Sequence, residues 1–249
     1  DWMRVGFIHG VMNTDNVTIS GETIDYGPCA FMDSYNPETV FSSIDHYGRY
    51  AYFNQPSIAH WNLARFAETL LPLVHKNKDT AIAMAKETVN GFTAMFRKHW
   101  IKMMRKKLGL FGEEVEDEKL INELLSLMHE NKLDYTNTFL SLTNKDITTN
   151  KLFNNQSLIN WHQKWKKRLV KNSNTIDNSI NLMESTNPSI IPRNHIVEKV
   201  LRSAENEDLL PLENLIKALK NPYKYNLEDS EYHSTPPSSS ENYRTFCGT

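Results

Sequence analysis

Two long segments with helical periodicity most constrain the fold of this chain. The first begins with Pro56 in its first turn and repeats apolar residues at about every 3.6 positions through Leu73. The second begins at Asp79 and runs through Met104, with basic residues near its end and Gly109 beyond it. The sequence therefore predicts a mainly α-helical chain.

A small β-hairpin is predicted within residues 17–26. Two short runs of β-branched residues surround the sequence Ser-Gly-Glu at 20–22, a pattern typical of a tight turn between two strands. Further helices are predicted over residues 119–131, roughly 194–205 and roughly 212–220. The fold class expected is thus mainly α with a small β-hairpin.

Several local features predict where helices begin and where loops lie. Segments rich in Asn, Ser and Thr at 144–156 and 171–187 are predicted to be loops. Asn194 is predicted to cap the helix that follows it, and the alternative is a polar site formed by residues 193–195. The acidic run at 113–118 precedes a predicted helix, so its charge is expected to complement the helix amino terminus.

Composition argues against two classes of partner. The 249 residues include 28 Lys and Arg and 30 Asp and Glu, and the formal net charge of −2 gives no field that would collect nucleic acid or anionic lipid. The longest apolar stretches fall well short of the roughly 20 residues that span a bilayer. We therefore expect no nucleic-acid partner and no membrane anchor. We also expect one domain over 1–222 and an extended tail over 223–249.

The chain starts with Asp1 and leads directly into a motif without the features of a secretion signal, so we expect a chain that is cut from a longer protein and not targeted for secretion. Two cysteines, Cys29 and Cys247, are too few for a disulfide framework and favour a reducing compartment. The sequon that begins at Asn16 is expected to be a chance match.

The residues that suggest chemistry lie between His9 and Gly27, in the sequence HGVMNTDNVTISGETIDYG. Asn16 and Asp25 stand on either side of the predicted hairpin, and both carry the oxygen donors that magnesium prefers. Kinase-type enzymes hold magnesium against nucleotide phosphates with such a pair. The triplet at 25–27 also follows a predicted strand, as the Asp-Phe-Gly metal ligand of kinases does. This segment therefore predicts a divalent metal site at Asn16 and Asp25.

Small-molecule kinases with the kinase-type fold commonly carry a His-Gly-Asp motif. Val11 stands at the position of the catalytic Asp in that motif. Valine cannot accept a hydroxyl proton, which disfavours ordinary transfer of a terminal phosphoryl group. Asp15 is the carboxylate that would replace it, and the alternative is a turn residue bonded to its own backbone. His9 is predicted to support the loop backbone and not to react.

Two other features of the sequence are weaker candidates for a functional site. Gly109 and Gly112 are not expected to cradle phosphate, because an acidic run follows them. Tyr50 and Tyr52 are expected in the core, and the alternative is that they contact a protein substrate together with Arg49.

Several long strings resemble the selenoprotein O family, also called SelO or YdiU: GVMNTDN, TIDYGP, GRYAYFNQPSIAHWNLARFAETL and NPSIIPRNHIVEKVL. The resemblance covers nearly the whole chain. It implies a protein-kinase-like carboxyl-terminal lobe with the catalytic and metal loop at 9–27. It also implies an enzyme that transfers AMP from ATP to Ser, Thr or Tyr hydroxyls of proteins and releases pyrophosphate, with Mg²⁺ or Mn²⁺ as the cofactor.

By the same resemblance, Asp15 is the proton acceptor, Asn16 and Asp25 hold the metal, and Asp25 also touches the nucleotide phosphates. The amino-terminal lobe that grips ATP in this family is not in the chain, so the chain alone is expected to be inactive. The alternatives are a non-catalytic pseudokinase that binds partners through its helices, and a conventional phosphotransferase.

The resemblance further implies a redox-regulated disulfide between Cys29 and Cys247, and the alternative is two unrelated thiols. A monomer in the bacterial cytoplasm is expected, or a mitochondrial location if the source is eukaryotic.

Overall fold

The computed structural model describes residues 1–144, 155–171, 174–224, 231–237 and 243–246. These residues are mainly helical, as predicted. The helices are α1 (Trp2–Val5), α2 (Gln55–Val74), α3 (Lys78–Lys107), α4 (Asp117–Glu130), α5 (Tyr135–Ser141), α6 (Gln156–Leu169), α7 (Ile176–Thr186), α8 (Asn194–Glu205) and α9 (Leu210–Leu219). The strands β1 (Phe7–Ile8) and β2 (Ala30–Phe31) pair in a two-stranded sheet. Single turns of 3₁₀ helix cover Thr14–Asn16 and Tyr52–Asn54.

The chain divides into two compact units. The first unit contains Asp1–Phe7, Phe31–Asn36 and Ile101–Tyr243, and the second contains Ile8–Ala30, Pro37–Trp100 and Arg244–Thr249. The predicted catalytic loop and all of α2 therefore lie in the second unit. The predicted boundary at residue 222 stays a prediction. In the part of the chain that the structure describes, no helix combines the length and the apolar character needed to cross a membrane.

Two tryptophans of α6 are buried in the first unit, where α6 packs on α4. Trp161 is fully buried and its Nε1 donates to the carbonyl oxygen of Leu120 at 2.8 Å. Trp165 Nε1 donates to the carbonyl oxygen of Leu108 at 2.8 Å, and the two indole rings stack with centroids 6.0 Å apart. Each indole thus buries its large apolar surface while keeping its polar atom hydrogen-bonded.

A buried carboxylate joins three helices of the first unit. Asp117 lies in the first turn of α4, as predicted for the acidic run, but its side chain is buried. Arg105 Nε donates to Asp117 Oδ2 at 2.7 Å, and Arg168 Nε donates to Oδ1 at 2.6 Å. Burial alone would raise the pKa of Asp117, but hydrogen bonds from Arg168, the Glu114 backbone and Arg105 hold that pKa below its ordinary value.

The loop predicted over 171–187 is wrong, because α7 occupies most of that segment. The Thr175 side chain caps the helix by accepting a hydrogen bond from Asn178 N at 3.2 Å. Ser179 and Met183 are buried. Capping and burial of one helix face therefore outweigh the low helix propensity of the Asn and Ser residues here. Most of the other predicted loop, residues 145–154, lies outside the described residues.

The predicted cap at Asn194 is also wrong. Arg193 occupies the N-cap position and Asn194 is the first residue of α8, where its Nδ2 donates to the carbonyl oxygen of Phe31 at 3.3 Å. Arg193 is buried and its Nη1 donates to Asp33 at 2.6 Å and to Asp134 at 2.7 Å. Long-range ion pairs thus hold the residue at the start of this helix.

Two tyrosines hold the described parts of the predicted tail. Tyr232 is buried in a cluster with Val200 of α8 and Leu215 of α9. Tyr243 Oη donates to Glu198 Oε1 at 3.0 Å.

Candidate functional site

The hairpin predicted within residues 17–26 is present as a single antiparallel bridge between Val17 and Thr23. Thr18 Oγ1 donates to the carbonyl oxygen of Glu22 at 2.9 Å, and Gly21 N donates to the carbonyl oxygen of Thr18 at 3.3 Å. Because Asn16 directly precedes the bridge and Asp25 follows it by two residues, both predicted ligands lie at the base of the same hairpin.

Asn16 ends the 3₁₀ turn and is half-buried. Its Nδ2 donates to the carbonyl oxygen of Val11 at 3.1 Å. This bond uses the amide NH₂ group and leaves Oδ1 available as an acceptor, which is the atom that a hard cation requires.

Asp25 is exposed and has a φ of 53°, in the left-handed region. Few residues other than glycine adopt this conformation, although Asp tolerates it better than most. Such strained positions concentrate at functional sites, because the surrounding structure must hold them in place. The backbone of Asp25 therefore agrees with a functional role for this residue.

His9 is fully buried and connects the two parts of the candidate site. Its Nε2 lies 2.7 Å from the carbonyl oxygen of Ile24, the residue before Asp25, and its Nδ1 lies 3.4 Å from Val11 N. A neutral ring with its proton on Nε2 satisfies both contacts, since Nε2 then donates and Nδ1 accepts. His9 thus supports the backbone, as predicted.

The glycine that follows His9 is required by a close backbone approach. Gly10 has a φ of 84°, and a Cβ at this position would lie 2.5 Å from the carbonyl oxygen of Pro28. No other residue fits here without moving one of these two segments.

The side chains of α2 that hold this loop were missed in the sequence analysis. The buried residues of α2 are Gln55, Ile58 and Asn62. Gln55 Oε1 accepts from His9 N at 3.0 Å, and Asn62 Nδ2 donates to the carbonyl oxygen of Met12 at 2.9 Å. The sequence pattern that could have identified them is a pair of amide side chains seven positions apart, which lie two turns apart on one face of a helix.

Tyr50 supplies a further contact to the loop. Tyr50 and Tyr52 are buried, which confirms the prediction that they belong to the core. Tyr50 Oη donates to Asn13 Oδ1 at 2.6 Å, a contact that the sequence did not reveal. The Asp45 carboxylate accepts from the backbone nitrogens of Arg49 at 2.9 Å and Tyr50 at 2.8 Å and so fixes the preceding turn.

Asp15 is exposed in the 3₁₀ turn, and hydrogen bonds hold the residues on either side of it. The turn is closed by a backbone hydrogen bond from Asn16 N to the carbonyl oxygen of Asn13 at 3.0 Å. The backbone thus forms this turn by itself, and the Asp15 carboxylate is accessible from solvent.

A metal at this loop would rely on few protein ligands. Within the described ranges, no group of three or more His, Cys, Asp or Glu side chains is arranged to hold a metal ion. An amide oxygen and a carboxylate, completed by water and substrate phosphates, nevertheless suit Mg²⁺, which usually retains several waters. The free Oδ1 of Asn16 and the exposed carboxylate of Asp25 fit this mode of binding.

Cys29 is half-buried, and its Sγ lies 3.4 Å from the carbonyl oxygen of Tyr26. Burial raises the pKa of the Cys29 thiol, a backbone hydrogen bond opposes this, and the negative charge of Asp25 raises the pKa further. Cys247 lies outside the described residues, so the predicted pairing with Cys29 stays a prediction.

Comparison with known proteins agrees with the resemblance. The profile of the family described as "Protein adenylyltransferase SelO" matches residues 1–220. A "Protein nucleotidyltransferase YdiU" of Pelagibacter ubique is 58% identical over the whole chain, which covers 52% of that relative. Relatives with the same name from Alkaliphilus metalliredigens and Clostridium botulinum are each 54% identical over the whole chain, which covers 51% of each of them. The chain spans about half the length of these relatives, and it belongs to the SelO family.

Proposed function

We propose that this chain is the metal-binding, protein-kinase-like carboxyl-terminal part of an ATP-dependent protein adenylyltransferase. The observation that supports this most is the hydrogen bond from Asn16 Nδ2 to the Val11 carbonyl oxygen at 3.1 Å, which leaves Oδ1 for a cation at the base of the hairpin that leads to Asp25. The name of the family supports AMP as the transferred group.

In this proposal Asn16 and Asp25 hold Mg²⁺ or Mn²⁺, and Asp25 also lies against the nucleotide phosphates. The ion, when bound, neutralises the charge of the phosphates. Asp15 accepts the proton from a Ser, Thr or Tyr hydroxyl of a protein substrate. The hydroxyl oxygen forms a bond to the α-phosphorus of ATP, the bond between that phosphorus and the oxygen bridging to the β-phosphorus breaks, and pyrophosphate leaves.

We propose that the 249-residue chain does not turn over by itself. Transfer of a nucleotide group depends on several groups that position the phosphates at once. The residues assigned here supply the metal ligands and the proton acceptor, while a nucleotide-gripping lobe belongs to the part of a family-length protein that this chain does not span.

The experiment is a chimera in which this chain replaces the matching half of the Pelagibacter ubique relative, which it covers over 52% of that protein's length. Transfer of label from α-labelled ATP to protein is measured for the chimera and for its Asp25→Asn and Asn16→Leu variants. Both variants are expected to lose about a hundredfold or more of the rate. Glu22→Gln, an exposed change in the same hairpin, should leave the rate unchanged.

The same assay separates the alternatives. Transfer from γ-labelled ATP would indicate a conventional phosphotransferase, which Val11 disfavours. Absence of transfer from either label in a folded chimera would favour the pseudokinase. Full AMP transfer by the Asp25→Asn variant would show that the metal-site assignment is wrong.

The disulfide between Cys29 and Cys247 remains part of the proposal, and the tail residue Thr245 supports it. Thr245 Oγ1 donates to the carbonyl oxygen of Pro28 at 2.7 Å, so the tail contacts the residue directly before Cys29. Thr245 also pairs with Ser42 in a parallel bridge. Mapping of alkylated cysteines by mass spectrometry in oxidised and reduced protein tests the pairing, and two free thiols in both states would contradict it.

A further inference from the structure

Helix α2 exposes an apolar stripe that a surface helix of a complete domain would normally bury. Leu63, Phe66 and Leu73 are 40%, 41% and 82% exposed. Together with Leu70 they follow the three- and four-residue spacing of one helix face. Contiguous exposed apolar surface of this kind marks a site of interaction.

Two residues of this stripe form one wall of a groove of about 380 Å³ within the second unit. Leu63 and Phe66 line it from α2, and Val17 and Ile19 line it from the hairpin. Ile19 is 85% exposed although it is apolar and β-branched. The groove therefore has apolar side chains on both walls, as grooves that accept the apolar face of a helix do.

The groove lies directly beside the candidate site. Thr14 also lines it, and Thr14 is the neighbour of Asp15 in the same 3₁₀ turn. The lining residue Asn62 holds the loop through the Met12 carbonyl oxygen. Whatever occupies the groove is therefore held next to the proposed proton acceptor.

We propose that the groove between α2 and the hairpin docks an apolar helix from the half of a family-length protein that this chain does not span. Two observations favour this occupant over a second copy or a protein substrate. The relatives are about twice as long as the chain, which covers 51–52% of them, so each relative contains a large segment that this chain does not span. The groove also adjoins the loop that a nucleotide-gripping segment must reach. The second reason rests on the proposed function, but the first does not.

The test measures how fast single introduced cysteines are labelled in the chimera with the Pelagibacter ubique relative. Cys29 and Cys247 of this chain are first replaced by Ser. Phe66→Cys reports on the groove, and Leu201→Cys on α8 is the matched control because Leu201 is 49% exposed on a helix outside the groove. Ser42→Cys, at a buried position of the second unit, reports unfolding if it labels quickly. Maleimide labelling is expected to be at least about tenfold slower at Phe66→Cys than at Leu201→Cys.

Each other result contradicts the proposal. Equal labelling rates at the two positions in a chimera whose Ser42→Cys stays unreactive would show that the groove is open. Protection of Phe66→Cys that disappears on dilution would indicate a second copy. Protection that requires an added protein substrate would indicate a substrate groove.

A second variant does not depend on labelling. With a protease site placed at the junction, the two halves of the cut chimera should elute together, and Phe66→Glu should separate them while Leu201→Glu does not. Co-elution that survives Phe66→Glu would overturn the proposal. A chimera that protects Phe66→Cys but transfers no AMP would contradict the proposed function and leave the docking surface intact.

Discussion

Tyr50 Oη donates a hydrogen bond of 2.6 Å to Asn13 Oδ1, and this bond ties the loop that carries Asp15 to the turn before α2. Together with the contacts of Gln55 to His9 N and of Asn62 to the Met12 carbonyl oxygen, it holds the loop at three successive points. The loop therefore owes its conformation to polar side chains of, or just before, one helix.

Tyr50→Phe is expected to lower the rate of AMP transfer in the chimera by about tenfold, with little change in the KM for ATP. The lost hydroxyl releases the Asn13 side chain and loosens the position of Asp15, while the proposed metal ligands are expected to keep their places. Stability should fall by only about 0.5–1.5 kcal/mol, the net contribution of one hydrogen bond. Tyr47→Phe, at a highly exposed tyrosine, is the control. A change in KM alone would argue against a positioning role for Tyr50.

Gly10→Ala is expected to destabilise the protein more than Gly21→Ala, although both glycines have positive φ. Left-handed backbone costs an alanine about 1–2 kcal/mol at either position. A Cβ at Gly10 additionally meets the Pro28 carbonyl oxygen at 2.5 Å, whereas a Cβ at Gly21 meets nothing within 4 Å. Urea denaturation of both variants measures the difference, and equal losses of unfolding free energy would disprove the close contact.

Asp117→Asn is expected to cost about 3–5 kcal/mol of unfolding free energy, because Arg105 and Arg168 lose their shared carboxylate inside the first unit. The folded pKa of Asp117 lies below the ordinary 3.8, so its contribution to stability is complete above pH 3.8 and is lost as pH falls through the folded pKa. The difference in unfolding free energy between wild type and Asp117→Asn, measured by urea denaturation, should therefore become smaller at low pH. Glu116→Gln, at an exposed ion pair, should cost about 1 kcal/mol or less.

His162 makes the fold sensitive to mild acid. Burial, and then the charge of Lys166, lower the pKa of His162 from 6.5 to about 4. Between these values the unfolded chain binds a proton that the folded protein does not, so stability falls as pH decreases from 6.5 to about 4. The unfolding free energy of His162→Leu, measured by urea denaturation, should fall less across this pH range than that of wild type. His129→Leu, at an exposed histidine of α4, should follow the wild type.

Asp25→Asn is expected to lower the pKa of the Cys29 thiol, because the Asp25 carboxylate is one of the two influences that raise it. The pH dependence of Cys29 alkylation in a Cys247→Ser background measures this change. Its midpoint should move to lower pH in Asp25→Asn and stay in place in Glu22→Gln. An unmoved midpoint in Asp25→Asn would show that the two side chains are farther apart than the structure has them.

The sequence by itself determined the long helices and the family. Helices α2 and α3 follow from apolar residues at helical spacing, with Pro at the first turn of α2 and Asp79 at the first turn of α3, and these are local properties of the chain. The hairpin at 17–26 follows from its own turn residues and is confirmed by the bridge between Val17 and Thr23. The strings around Asn16 and Asp25 indicated the family that the comparisons show.

Only the tertiary structure decided which side chains hold the candidate site. Gln55, Asn62 and Tyr50 contact loop residues 46, 50 and 37 positions away, and Asp117 meets Arg168 at a separation of 51. Helix α7 likewise forms in a segment of poor helix propensity because packing buries one of its faces. A periodic pattern shows which face of a helix is buried, but the partner of a buried polar group depends on how distant segments pack, and spacing along the chain does not encode that packing.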